Sequence, residues 1–125
     1  MDKKTFSNLL VNKILILDGA TGTELQKRGM PKGVCPEKWV SENPDSIIEV
    51  QKEYVKAGSN VVYSCTFGAN RFKLEEFGLE NEVYSLNKKL VEISKKAVGN
   101  NAFVAGDMSP TGKFVEPFGD VKFDD

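Results

Sequence analysis

The sequence contains no histidine, and no other absence in it excludes as much. Without an imidazole there is no Ser-His-Asp or Cys-His nucleophile pair and no histidine metal ligand. Any chemistry must rest on carboxylates, thiols, hydroxyls and backbone groups. Cysteine is scarce as well: Cys35 and Cys65 stand far apart without paired spacing, which indicates neither a disulfide framework nor a zinc knuckle and leaves both thiols reduced. No apolar run approaches the ~20 residues of a membrane span, and residues 1–12 lack the apolar stretch of a secretory signal, so a cytoplasmic location is expected. Neither sign of charge dominates, with 17 basic and 18 acidic residues interspersed along the chain. That balance argues against a nucleic-acid surface and a polybasic membrane patch, so neither nucleic acid nor membrane is expected as a partner.

What remains suits a soluble α/β domain. The 125 residues give room for a single domain, and 40% hydrophobic with 28% charged content permits a packed core. Three apolar, strand-like runs punctuate the chain: Ile14 to Leu17, Val61 to Tyr63 and Ala102 to Ala105. None alternates apolar with polar, the pattern of parallel strands buried on both faces.

Helical signals fill the gaps between them. Asn43-Pro44-Asp45 reads as an N-cap followed by proline at the first helical position, with Ile47, Val50, Tyr54 and Val55 at helical spacing and Gly58 as the stop. Val83, Leu86, Leu90, Ile93 and Ala97 repeat at helical spacing, and Gly99-Asn100 ends that helix. Shorter helices are expected over Thr21 to Arg28 and around Thr5 to Leu10, while the stretch holding Cys35 and Trp39 reads as a long loop anchored by the tryptophan. The order strand, helix, strand, helix, strand implies right-handed crossovers between parallel strands. After the third run no periodic element follows, so three strands with an open edge are expected of a chain that looks cut rather than finished.

Each strand-like run ends in a small or polar cluster, and in parallel α/β folds ligands bind at such carboxyl ends. The clusters are Asp18-Gly-Ala-Thr-Gly-Thr, Ser64-Cys-Thr-Phe-Gly-Ala-Asn and the segment from Asp107. Asp18 offers a carboxylate for an ammonium, and Gly19 and Ala20 bring backbone N–H groups close to an anion, a pairing that suits the zwitterionic head of an amino acid. The competing account has Asp18 capping the helix at Thr21 and Gly19 making the turn. Thr66 either donates its hydroxyl to a substrate carboxylate or serves the structure. The glycine spacing matches neither a dinucleotide fingerprint nor a phosphate loop. Cys65 has nothing obvious nearby to lower its pKa and reads as a buried filler. Asn70 to Glu76 reads as a solvated helix face with Phe72, Leu74 and Phe77 packed or lining the mouth.

With these residues in view, the chain resembles the homocysteine S-methyltransferase family. The resemblance is carried by Leu17-Asp-Gly-Ala-Thr-Gly-Thr-Glu-Leu-Gln26, Pro36-Glu-Lys-Trp39, Ala57-Gly-Ser-Asn60, Thr66-Phe-Gly-Ala-Asn-Arg71, Phe77-Gly-Leu-Glu80 and Ala105-Gly-Asp-Met-Ser-Pro-Thr-Gly112, in family order. The fourth and fifth motifs are most similar to the cobalamin-dependent methionine synthase branch. The resemblance implies a (β/α)8 TIM barrel, of which residues 1–125 would be the first three β/α units and the N-terminal part of a homocysteine-binding domain. It implies homocysteine as substrate, zinc to hold its sulfur as thiolate, and a methyl donor carried on a cobalamin or folate module elsewhere. Carried over by position, Asp18 holds the homocysteine ammonium, Gly19 and Ala20 meet its carboxylate, and Thr66 adds a hydroxyl there. Cys65 stands where the family often has asparagine. The family's zinc cysteines lie on later strands and match neither Cys35 nor Cys65, so this chain alone is expected to hold no zinc and to be inactive. The alternatives are a non-catalytic truncated chain, or a small α/β domain binding another amino acid or a phosphate ester.

Overall fold

A computed structural model describes residues 2–124. Helix α1 (Lys3–Asn12) starts at Asp2, whose carboxylate caps it by accepting the Thr5 N–H. Helix α2 (Gly22–Lys27) and helix α3 (Pro36–Glu42) follow, then α4 (Pro44–Lys56). Both α3 and α4 carry proline in the first turn, where its missing N–H costs nothing. Strand β1 (Val61–Tyr63) leads through α5 (Arg71–Glu75) and a single 3₁₀ turn at Glu80–Glu82 to α6 (Val83–Val98), which stops at Gly99 with φ +54°. Strand β2 (Phe103–Ala105) lies parallel to β1 in the register Val61 to Phe103, Val62 to Val104 and Tyr63 to Ala105. The crossover between them is helical, as parallel pairing demands.

Helices α4 and α6 cover one face of this sheet. Val62 is fully buried there among Ile48, Ala97 and Val98, with Val104 beside them. A second cluster joins Leu25 of α2, Val40 of α3, Ile47 and Val50 of α4 and Leu90 of α6, with Trp39 packed against it. Leu90, Ile47 and Val50 are 1–2% exposed, and each such side chain stabilises the fold by about 1.5–3 kcal/mol relative to exposure. The amphipathic spacing of α4 and α6 thus does what the pattern predicts.

Two expectations about the strands are corrected. The run at Ile14 to Leu17 forms no strand of its own: Leu17 alone makes a parallel bridge, to Val61, and Ile16 accepts from the Asn60 and Val61 N–H groups. Nor are the strands buried on both faces. Leu17 and Phe103 share a row with Val61, so by strand alternation they and Tyr63 point away from α4 and α6; these three are exposed, and only Val61, flanked by Leu17 and Phe103, is buried on that side. Ile14 is 88% exposed. The structure is therefore α/β with a small, open parallel sheet.

The stretch expected as a long loop contains α3. Its Trp39 does anchor the segment, packed against the Leu25 and Val40 cluster. Among the described residues no helix is long and apolar enough to cross a membrane.

Candidate functional site

The chain leaves the sheet immediately after Leu17, and Asp18 shows how. Its N–H donates to the Val61 carbonyl at 3.0 Å, and both its carboxylate oxygens lie 3.2 Å from the Tyr63 N–H. The side chain takes the ladder position that the departing backbone gives up. Asp18 does not cap α2, whose N-cap position is Thr21 and has no side-chain cap bond. Burial raises the Asp18 carboxyl above the usual carboxylate range, opposed by the Tyr63 N–H and reinforced by the Asp107 charge.

The turn at Gly19 and Ala20 is gripped from α4. Tyr54 donates its hydroxyl to the Ala20 carbonyl at 2.9 Å, and a Cβ on residue 19 would stand 2.9 Å from the Tyr54 phenol oxygen. Glycine is required there by close approach rather than by backbone angle.

Thr66 serves the join between strand ends. Its hydroxyl donates to the Asp107 carbonyl at 2.8 Å, accepts the Asp107 N–H at 3.1 Å, and lies 3.0 Å from Ser64 Oγ. It is 5% exposed and ties the end of β1 to the segment after β2.

Residues from all three strand-end clusters line one open cavity of ≈ 360 Å³: Gly19 and Thr21 from the first, Ser64 and Cys65 from the second, Asp107 from the third. Glu37 of α3 and the ring of Phe67 complete its wall. Of the four residues singled out from the sequence, Gly19 lines this cavity directly. Asp18 and Ala20 flank it in the chain, and Thr66 lies beneath the strand ends with its hydroxyl engaged. Burial pushes the Cys65 thiol up to about 12, which disfavours its thiolate form.

Two residues at the site were not legible as such. Glu37 is 5% exposed, accepts the Gly68 N–H at 2.7 Å and takes a bond from Cys35 Sγ at 3.3 Å. Tyr54 reads in the sequence as one more apolar position of a helix. The Pro36-Glu37 pair carries the signature of a helix start, the signal that would have revealed α3.

A family model described as Homocysteine S-methyltransferase matches residues 15–125. The chain is 32% identical over 114 residues to the Homocysteine S-methyltransferase of Escherichia coli (strain K12), covering 82% of this chain and 37% of that protein. It is 30% identical over 111 residues to Betaine--homocysteine S-methyltransferase 1 of Danio rerio, covering 86% and 28%. With the Methionine synthase of Mycobacterium tuberculosis it shares 25% identity over 118 residues, covering 85% of this chain and 10% of that one. Among solved structures, the metallated form of the homocysteine methyltransferase MmuM from Escherichia coli matches with a TM-score of 0.70 at 30% identity, over 84% of this chain and 41% of the other. The chain spans less than half the length of each of these relatives.

Proposed function

The chain belongs to the homocysteine S-methyltransferase family, and from that membership we propose that residues 1–125 are the N-terminal part of a homocysteine-binding domain, built as the first three β/α units of a (β/α)8 TIM barrel. The strand-end cavity takes the amino-acid end of homocysteine. Asp18 receives the ammonium, Gly19 and Ala20 present backbone N–H groups to the carboxylate, and Thr66 adds its hydroxyl by exchanging an Asp107 contact for one to the ligand.

The observation that carries this reading is the charge of the cavity. Glu37 and Asp107 line it, Asp18 adjoins it, and none of its lining residues is basic. Such a wall attracts an ammonium and repels a phosphate, which favours an amino acid over a phosphate ester. Arg28, at the end of α2, is taken up by Glu24, Glu49 and Glu53.

For the whole protein the proposed activity is methyl transfer to the homocysteine sulfur, with the donor, corrinoid or folate, carried by another module. The family implies zinc, and the described residues do not fit it. Among them no three His, Cys, Asp or Glu side chains gather as a metal site. The part proposed for this chain is binding rather than turnover. A cytoplasmic location belongs to the same reading.

Titration calorimetry with homocysteine, serine and a sugar phosphate tests it. Homocysteine is expected to bind saturably and Asp18→Asn to weaken it about tenfold, or ~1.4 kcal/mol. A chain that prefers the sugar phosphate overturns the reading.

A further inference from the structure

Glu37 is 5% exposed, yet among the described residues no basic side chain forms a salt bridge with it. Its partners are the Gly68 N–H at Oε1 and the Cys35 thiol at Oε2. A hydrogen bond from an amide to a carboxylate is roughly twice as strong as a neutral one. A Cβ on residue 68 would stand 2.7 Å from Oε1, so the glycine and the carboxylate require each other.

The contact matters because of what Gly68 carries. Phe67 precedes it, and the Phe67 ring and Glu37 line both the ligand cavity and a second hollow of ≈ 200 Å³, forming the partition between them. Lys73 Nζ sits 5.2 Å from the centre of the Phe67 ring and holds it from α5. The half-exposed ring therefore has a cation on one side and, at its backbone, the Glu37 bond to the Gly68 N–H that follows it.

From these contacts we infer that Glu37 is a positioning residue: its carboxylate fixes the Phe67–Gly68 turn, and through that turn the cavity wall against which the amino acid lies. It acts through the turn and not by touching the ligand. The inference deepens the proposed function and rests on it for the identity of the ligand.

The test uses the full chain and the variants Glu37→Gln, Glu37→Ala and Gly68→Ala, with hydrogen exchange resolved by residue and homocysteine affinity from calorimetry. Glu37→Gln keeps an oxygen for the Gly68 N–H and is expected to preserve Gly68 protection within about twofold, while the loss of its charge from the cavity wall weakens homocysteine by less than Glu37→Ala does. Glu37→Ala is expected to speed Gly68 exchange about tenfold while the α6 amides around Leu90 keep their protection, and to weaken homocysteine about tenfold. Adding Gly68→Ala to Glu37→Ala should cost little more affinity, because both act through one turn. Unchanged Gly68 exchange in Glu37→Ala overturns the inference. So does equal acceleration in α6, which would make Glu37 a general stabiliser, and so does a full loss of affinity in Glu37→Gln, which would make it a direct ligand contact. If the unsubstituted chain binds no homocysteine, the functional reading falls instead, and the exchange pattern still decides whether Glu37 holds the turn.

Discussion

The Tyr54 hydroxyl donates to the Ala20 carbonyl at 2.9 Å, so the phenol of α4 holds the turn by which the chain leaves the sheet 34 residues earlier. Two substitutions separate its bond from its bulk. Tyr54→Phe removes only the hydrogen bond and should cost about 1 kcal/mol. Gly19→Ala drives a methyl group toward the phenol oxygen, 2.9 Å away, and should cost about 1–3 kcal/mol because the ring must move. Urea unfolding of both variants measures the order. A Gly19→Ala chain as stable as its parent would show that the turn has slack that the geometry denies.

Asp18 carries a cost in stability that its proposed role explains. Burial, first of all, raises its carboxyl above the usual range. A carboxyl whose folded pKa exceeds its unfolded value favours folding while protonated. That contribution is complete below the ordinary carboxylate range and is lost as pH rises through the raised value. Asp18→Asn keeps an acceptor for the Tyr63 N–H and does not ionise, so it should be more stable than the parent at neutral pH, with the difference vanishing in acid. Thermal unfolding across that range reads the effect. Parallel pH profiles for parent and variant would remove Asp18 as the titrating group.

Gln51 joins three elements through one amide. From α4, its Nε2 donates to the Tyr63 carbonyl of β1 at 3.0 Å and to Ser94 Oγ of α6 at 2.9 Å, while its Oε1 is buried without a partner. Gln51→Glu replaces the donor by an acceptor facing a carbonyl, and should destabilise the chain by about 3 kcal/mol at neutral pH. Protonation of the introduced carboxyl restores a donor, so the deficit should narrow as pH falls. Denaturant midpoints at neutral and acid pH decide this, and a deficit independent of pH would place the damage in packing.

The elements legible in the sequence were those whose apolar spacing matches what covers them. Ile47 and Val50 of α4 and Leu86, Leu90 and Ala97 of α6 were read as core from period alone and are buried. Asn43-Pro44 marked the start of α4 because its signal is local. Ile14 to Leu17 misled, since apolar residues in a row indicate burial only when something lies on both faces. The gathering of three strand ends around one cavity was readable from the order of the elements, which parallel topology constrains. What the sequence hid were contacts across the chain: the Glu37 bond to Gly68 spans 31 residues and the Thr66 bond to Asp107 spans 41, and no periodicity reports such partners.

Cys65 gives the sharpest test of the cavity's electrostatics. Burial, with the charges of Glu37, Cys35 and Asp107 adding to it, moves the thiol from an ordinary 9.0 to about 12. Near neutral pH its thiolate fraction is then about a thousandfold below that of an unperturbed cysteine. Iodoacetamide should therefore modify Cys65 in the folded chain slower by about that factor than in the urea-unfolded chain, with mass spectrometry locating the label. Cys35, also raised by burial and bonded to Glu37, should be protected in the same direction. Because the folded state favours the neutral thiol, the stability contributed by Cys65 is present below the ordinary thiol value and is lost as pH climbs from 9.0 toward about 12. Cys65→Ser, which does not titrate there, should remove that alkaline loss. Rapid labelling of folded Cys65 would mean a thiol open to solvent and a wall less acidic than the carboxylates around it imply, and the case for an ammonium-seeking cavity would weaken with it.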